Sequence, residues 1–81
     1  MRKKDFVEEC LLVDGDRIQK FHYRYQKDDY KDNGLFEGTL TVIFTNGSYE
    51  DLYEVAYEDW ESLKRLNNKE EFYLDILRRR Y

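Results

Sequence analysis

Few side chains in this 81-residue chain belong to the residue types that react. It holds one histidine, His22, and one cysteine, Cys10. A general base needs a positioned partner within hydrogen-bond reach, and the run Phe21-His22-Tyr23 supplies none. Cys10 follows Glu8 and Glu9, whose charge disfavours a thiolate, so its expected role is a small core filler. A single cysteine excludes an internal disulfide and a cysteine-based zinc site, and it suits a reducing compartment. Asp28-Asp29 and Asp32 offer oxygen ligands for a hard cation, but they lack the alternating pattern of an EF-hand loop. No glycine-rich phosphate loop, metal-ligand spacing or nucleophile motif occurs. The expectation is a protein that is not an enzyme, with no catalytic residues, no metal and no cofactor.

Charge is more informative. The net charge is −4, yet residues 28–61 alone hold ten acids against Lys31, a segment charge of −9, and the remainder is +5. Acids clustered in this way repel nucleic acid and steer a basic protein surface towards them. The expected partner-binding residues are Glu50, Glu54, Glu58, Asp59 and Glu61, with Tyr and Trp as nearby anchors. One concrete form is a phage or mobile-element inhibitor, of the kind that blocks a CRISPR effector by filling its cationic groove. The alternative is a nucleic-acid surface made of Arg78, Arg79 and Arg80 beside Tyr81, with Tyr23 and Tyr25 able to stack bases. The plain readings of the same residues are a solvated face, a charge cap on a helix C-terminus and a core aromatic face.

The elements that must position these groups follow from the residue pattern. Asn46-Gly47 is a strong hairpin-turn signal, because both residues tolerate φ > 0. A two-residue loop pairs Thr45 with Ser48, Phe44 with Tyr49, Val42 with Asp51, Leu40 with Tyr53 and Gly38 with Val55. Alternation then places Leu40, Val42, Phe44, Tyr49, Tyr53 and Val55 on a core face. Thr39, Thr41, Glu50 and Glu54 fall on an open face. Asp51 is a misfit on the core face, which implies either a position near the sheet edge or a bulge.

Upstream, residues 5–13 fit a helix face through Phe6, Cys10 and Val13, or a strand face through Val7, Leu11 and Val13. Asp14-Gly15 favours a second hairpin with strands at about 5–13 and 16–26. A two-residue loop there pairs Leu11 with Ile18, Glu9 with Lys20 and Asp5 with Arg24. Phe21, Tyr23 and Tyr25 share one face, and Ile18, Lys20, His22 and Arg24 share the other. Residues 27–34 form a polar loop closed by Asn33-Gly34.

From Ala56 the apolar period becomes helical, through Trp60 and Leu63. Glu58, Asp59 and Glu61 open this helix, and Lys64 and Arg65 close it, the order that the helix dipole favours. Asn68 with Glu71 reads as a capping box for a last helix at about 69–79 that turns Phe72, Tyr73, Ile76 and Leu77 inward.

The second half, Leu40-x-Val42-x-Phe44-x-Asn46-Gly47-x-Tyr49, then Val55, Trp60-x-x-Leu63, Phe72, Ile76 and Tyr81, resembles the KTSC domain over residues 38–81. That family occurs at the C-terminus of some lysyl-tRNA synthetases and as small free-standing proteins. The resemblance implies a hairpin followed by helices, and an RNA-binding role. Asp51 stands where the family carries a second tyrosine.

The sum is a single domain over residues 1–81 of α+β class: a small antiparallel sheet of about four strands in two successive hairpins, with two C-terminal helices packed on one face. No apolar run reaches transmembrane length, and the basic start is followed by no signal core, so a cytoplasmic protein with no membrane partner is expected. A third reading is a homodimer that pairs edge strands or covers the aromatic face.

Overall fold

The computed structural model describes residues 6–26 and 37–81. The acidic triplet Asp28-Asp29 and Asp32, the Asn33-Gly34 turn and Asp5 lie outside the described residues. Four antiparallel strands, β1 (Phe6–Leu12), β2 (Ile18–Gln26), β3 (Glu37–Phe44) and β4 (Tyr49–Ala56), pair in sequence order. Residues 6–12 are therefore strand, not helix. Two helices follow: α1 (Tyr57–Arg65), and α2 over residues 69–80. The latter opens with α-helical Lys69–Phe72, widens to a π-helical turn at Tyr73–Leu77 and closes with Arg78–Arg80. Among the described residues no helix is long and apolar enough to cross a membrane.

Both helices cover one face of the sheet. The core between them is Ile18, Phe21, Tyr23, Leu40, Val42, Val55, Trp60, Leu63, Tyr73 and Leu77, all fully buried. Trp60 stacks on Tyr23, ring centroids 5.1 Å apart and planes 13° off parallel. Tyr23 buries its ring and donates its hydroxyl to the Val55 carbonyl at 2.7 Å, so its one polar atom is satisfied. Ile76, expected inward, is exposed, because the π-helical turn shifts its angular position and gives Leu77 the inner place.

Both hairpin registers differ from the sequence expectation. The Asn46-Gly47 turn is a three-residue loop. Gly47 N–H donates to the Phe44 carbonyl, and Phe44 N–H to that of Ser48. Gly47 at φ +91° supplies the left-handed residue that such a loop needs. Asn46 Oδ1 accepts from both the amide and the hydroxyl of Ser48, which stabilises the turn locally. The pairs become Ile43 with Tyr49, Val42 with Glu50, Thr41 with Asp51 and Leu40 with Leu52. A one-residue slip exchanges faces. Tyr49 and Tyr53 are thus exposed, and Glu50 and Leu52 turn towards the helices.

A bulge at Tyr53-Glu54 then restores the expected Gly38–Val55 pair, with Glu54 at φ +56°. Asp51, the apparent misfit, lies outward and accepts the Thr41 hydroxyl at 2.6 Å.

In the first hairpin the loop spans residues 13–17, so Leu11 pairs with Phe21, Glu9 with Tyr23 and Glu8 with Arg24. A second irregularity between Ile18 and Lys20 turns Ile18 into the core, against the expectation that it faces outward.

Tertiary hydrogen bonds explain the longer loop. Arg17 carbonyl accepts Thr45 N–H at 2.8 Å. The Glu70 carboxylate accepts Arg17 N–H at 2.8 Å and Ile18 N–H at 2.7 Å, clamping α2 to the loop. Asn68 makes no side-chain cap, so the capping box expected of Asn68 with Glu71 is absent.

Candidate functional site

The residues that the sequence singles out divide into paired and unpaired groups. Glu50 lies on the helix-covered face, contrary to expectation. It accepts the Tyr73 hydroxyl and is bridged by Arg78 at 2.9 Å. Burial, then the Glu50 contact, push the Tyr73 phenol above its ordinary range. Asp59, in the first turn of α1, takes Arg80 at 2.6 Å and the Tyr81 hydroxyl. Tyr81 also accepts Ala56 N–H at 3.0 Å, so the strand–helix corner is held from the far end of α2. Glu61 pairs with Lys64 at 2.9 Å, a hydrogen bond that holds its carboxyl below the usual carboxylate range, and more loosely with Arg65. Lys64 also reaches Glu9 at 3.0 Å and lies near the faces of Tyr57 and Trp60. Its bonds to Glu61 and Glu9 hold its ammonium charged to high pH.

The acidic belt and the arginine tail therefore neutralise one another in part. Of the arginine triplet, Arg78 and Arg80 are engaged by Glu50 and Asp59, and Arg79 is exposed. Three of the five expected partner-binding acids, Glu50, Asp59 and Glu61, are in ion pairs. Glu54 and Glu58 are exposed and carry none among the described residues. Glu37, at the start of β3 opposite Ala56, joins them at the same end of the sheet. This end, where β4 turns into α1, is an acidic pole flanked by the exposed rings of Tyr53 and Tyr81.

The second surface is the sheet face that the described residues leave bare; sequence reasoning expected Thr39 and Thr41 on an open face but wrongly placed Glu50 with them. The registers arrange it as three rows across four strands. At the acidic end Glu8 and Arg24 lie beside Thr39, with Tyr53 outermost. The middle row is Cys10, His22, Thr41 and Asp51. The last row is Leu12, Lys20, Ile43 and Tyr49. Leu12 is 83% exposed, Tyr49 68% and Tyr53 67%. Cys10 is exposed here rather than filling the core, and His22 lies 3.6 Å from the Glu8 carboxylate. The alternation of Thr39, Thr41 and Ile43 was a usable signal; the face of Tyr49 and Tyr53 was not, because it depends on the turn and on the bulge.

Among the described residues no group of three His, Cys, Asp or Glu side chains could hold a metal ion. A polar depression between the residue 13–17 loop and α2 is lined by Asp14, Asp16, Asn67, Lys69, Glu70 and Glu71. Glu70 there is already committed to backbone amides. Comparison with family models, with curated proteins and with solved structures finds no match.

Proposed function

We propose that this chain is a non-enzymatic interaction module that docks a basic protein surface against the acidic pole formed by Glu37, Glu54 and Glu58. The observation that carries the reading is Glu54. It sits at positive φ in a bulge, a conformation that costs a non-glycine residue about 1–2 kcal/mol. The bulge aims an exposed carboxylate, with no ion pair among the described residues, beside exposed Tyr53. Uncompensated charge next to an aromatic anchor is a combination that favours both rapid encounter and retention. Asp59 and Glu50 contribute less, since arginines of α2 already neutralise them. A nucleic-acid-binding protein, with its cationic groove, is the partner class of matching chemistry. Arg79, the one arginine of the triplet without an ion pair among the described residues, is a weak footprint for RNA by comparison.

The test uses immobilised protein, cell lysate and a salt series. A basic protein is retained at low ionic strength and released as salt rises. Once identified and purified, it binds the Glu54→Lys/Glu58→Lys variant at least tenfold more weakly. A Glu71→Lys/Asp75→Lys control at the other side of the molecule leaves affinity unchanged. Equal affinity of the first variant and the wild type would overturn the proposal. So would retention of short single-stranded RNA that Arg79→Glu abolishes.

A further inference from the structure

We propose that the uncovered sheet face closes against a second copy of this chain, about a two-fold axis running parallel to the strands. Among the described residues the helices leave this face bare, and it mixes exposed apolar side chains with charges of both signs. Leu12 and Ile43 share a row with Tyr49, and the formal charges of Glu8, Lys20, Arg24 and Asp51 cancel. Three rows over four strands span roughly 19 Å by 20 Å. The corresponding footprint, roughly 380 Å² per copy, lies below the standard size of specific interfaces and is that of a weak, concentration-dependent dimer.

Two symmetric face-to-face arrangements exist, and the charges choose between them. An axis perpendicular to the strands lays each strand on its own copy with the rows reversed. Lys20 then meets Arg24 of the other copy, Asp51 meets Asp51 and His22 meets His22, so like faces like. An axis parallel to the strands keeps the rows and exchanges the edges, β1 over β4 and β2 over β3. Leu12 now lies over the Tyr49 ring and Lys20 over Ile43. Cys10 lies over Asp51. Arg24 covers Thr39, with Tyr53 and Asp51 within reach of its guanidinium for a cation–π contact and an ion pair. Every like-charge apposition of the first arrangement is absent. Aligned sheets pack in this way, with strands within about 30° of parallel. The acidic pole lies at the rim of this face, and the proposal stands whether or not the pole binds a basic partner.

The experiment is sedimentation velocity over a wide concentration range, with crosslinking by a bis-maleimide that spans the ~10 Å between packed sheets. Wild type reaches twice the 10.0 kDa chain mass as concentration rises. Leu12→Glu, at an exposed position that leaves the fold intact, weakens association at least tenfold. Asp51→Cys, paired with native Cys10, crosslinks across the interface, and the wild type, whose two Cys10 lie at opposite edges, does not. Far-ultraviolet circular dichroism confirms that each variant is folded. A monomer at every concentration overturns the proposal. So does a dimer indifferent to Leu12→Glu, which would join through strand edges. Wild-type crosslinking through Cys10 overturns the chosen axis. Binding of short RNA or of a different protein by a monomer through the same face overturns the choice of occupant.

Discussion

The clamp made by Glu70 gives the sharpest quantitative expectation. One carboxylate oxygen accepts two backbone amides, from Arg17 at 2.8 Å and from Ile18 at 2.7 Å. Hydrogen bonds to a charged group contribute about 1.5–3 kcal/mol each when shielded, and an orphaned buried amide costs about 1–3 kcal/mol. Arg17 N–H is exposed, so water replaces its bond and that loss is small. Ile18 N–H is partly buried above a fully buried side chain, so its loss is nearly complete. Glu70→Ala is therefore expected to destabilise by about 2–3 kcal/mol, a large share of the ~4–12 kcal/mol typical of a domain this size. Urea unfolding reads it as a fall in midpoint of roughly 2 M at an m-value near 1 kcal/mol/M. Glu70→Gln keeps an acceptor without the charge and loses about half as much.

The clamp has a second handle. A Cβ at Gly15 would collide with the Glu70 carboxylate, so Gly15→Ala must displace that side chain. It should cost nearly as much as Glu70→Ala in the wild type and little in a Glu70→Ala background, a strong non-additivity. Glu71→Ala, one residue on and exposed, is the control, within about 0.5 kcal/mol of wild type. If Glu70→Ala behaves like Glu71→Ala, or if the Gly15 and Glu70 changes simply add, the clamp does not carry this stability.

Other expectations follow from single contacts. Glu54→Gly relieves the positive φ, leaving stability unchanged or raised by about 0.5–1 kcal/mol, whereas Glu54→Val lowers it; thermal melts check both. Tyr23, Tyr25 and Tyr73 are shifted upward chiefly by burial, so the folded state holds their protons beyond the unfolded value of 10.0. Folded tyrosines raised in this way stabilise fully below that pH, and stability falls as pH rises through it. Urea unfolding from pH 8 upward, followed alongside tyrosinate absorbance, should show the decline, and a flat profile to pH 11 would contradict it. Tyr73→Phe removes the hydroxyl bonded to Glu50 and should cost about 1 kcal/mol in urea unfolding.

Much of the fold was legible because it rests on local periodicity. Alternation in β2 and β3 identified Phe21, Tyr23, Leu40 and Val42 as core, and the helical period identified Trp60, Leu63, Tyr73 and Leu77. What could not be read depends on partners distant in sequence or on one-residue choices of nearly equal local energy. Asn46-Gly47 suits a two-residue and a three-residue loop alike, and the difference inverts the faces of residues 49–53. The bulge at Glu54 has no glycine to announce it. The length of the first loop is set by Glu70 and Thr45, more than 25 residues away. For the candidate site, sequence identified the acids, but their neutralisation by Arg78 and Arg80 is a tertiary fact.

The meander topology also bears on how charge is exposed. Each strand pairs only with its sequence neighbour, so the sheet can persist as a unit when α2 lifts away. Glu50 and Asp59 are neutralised from that one helix, by Arg78 and Arg80. A local opening of α2 would therefore uncover both carboxylates in a single event and enlarge the acidic surface without unfolding the sheet. The free energy of that opening, readable by amide hydrogen exchange in α2 against β2 and β3, sets how often the chain presents its full complement of acids.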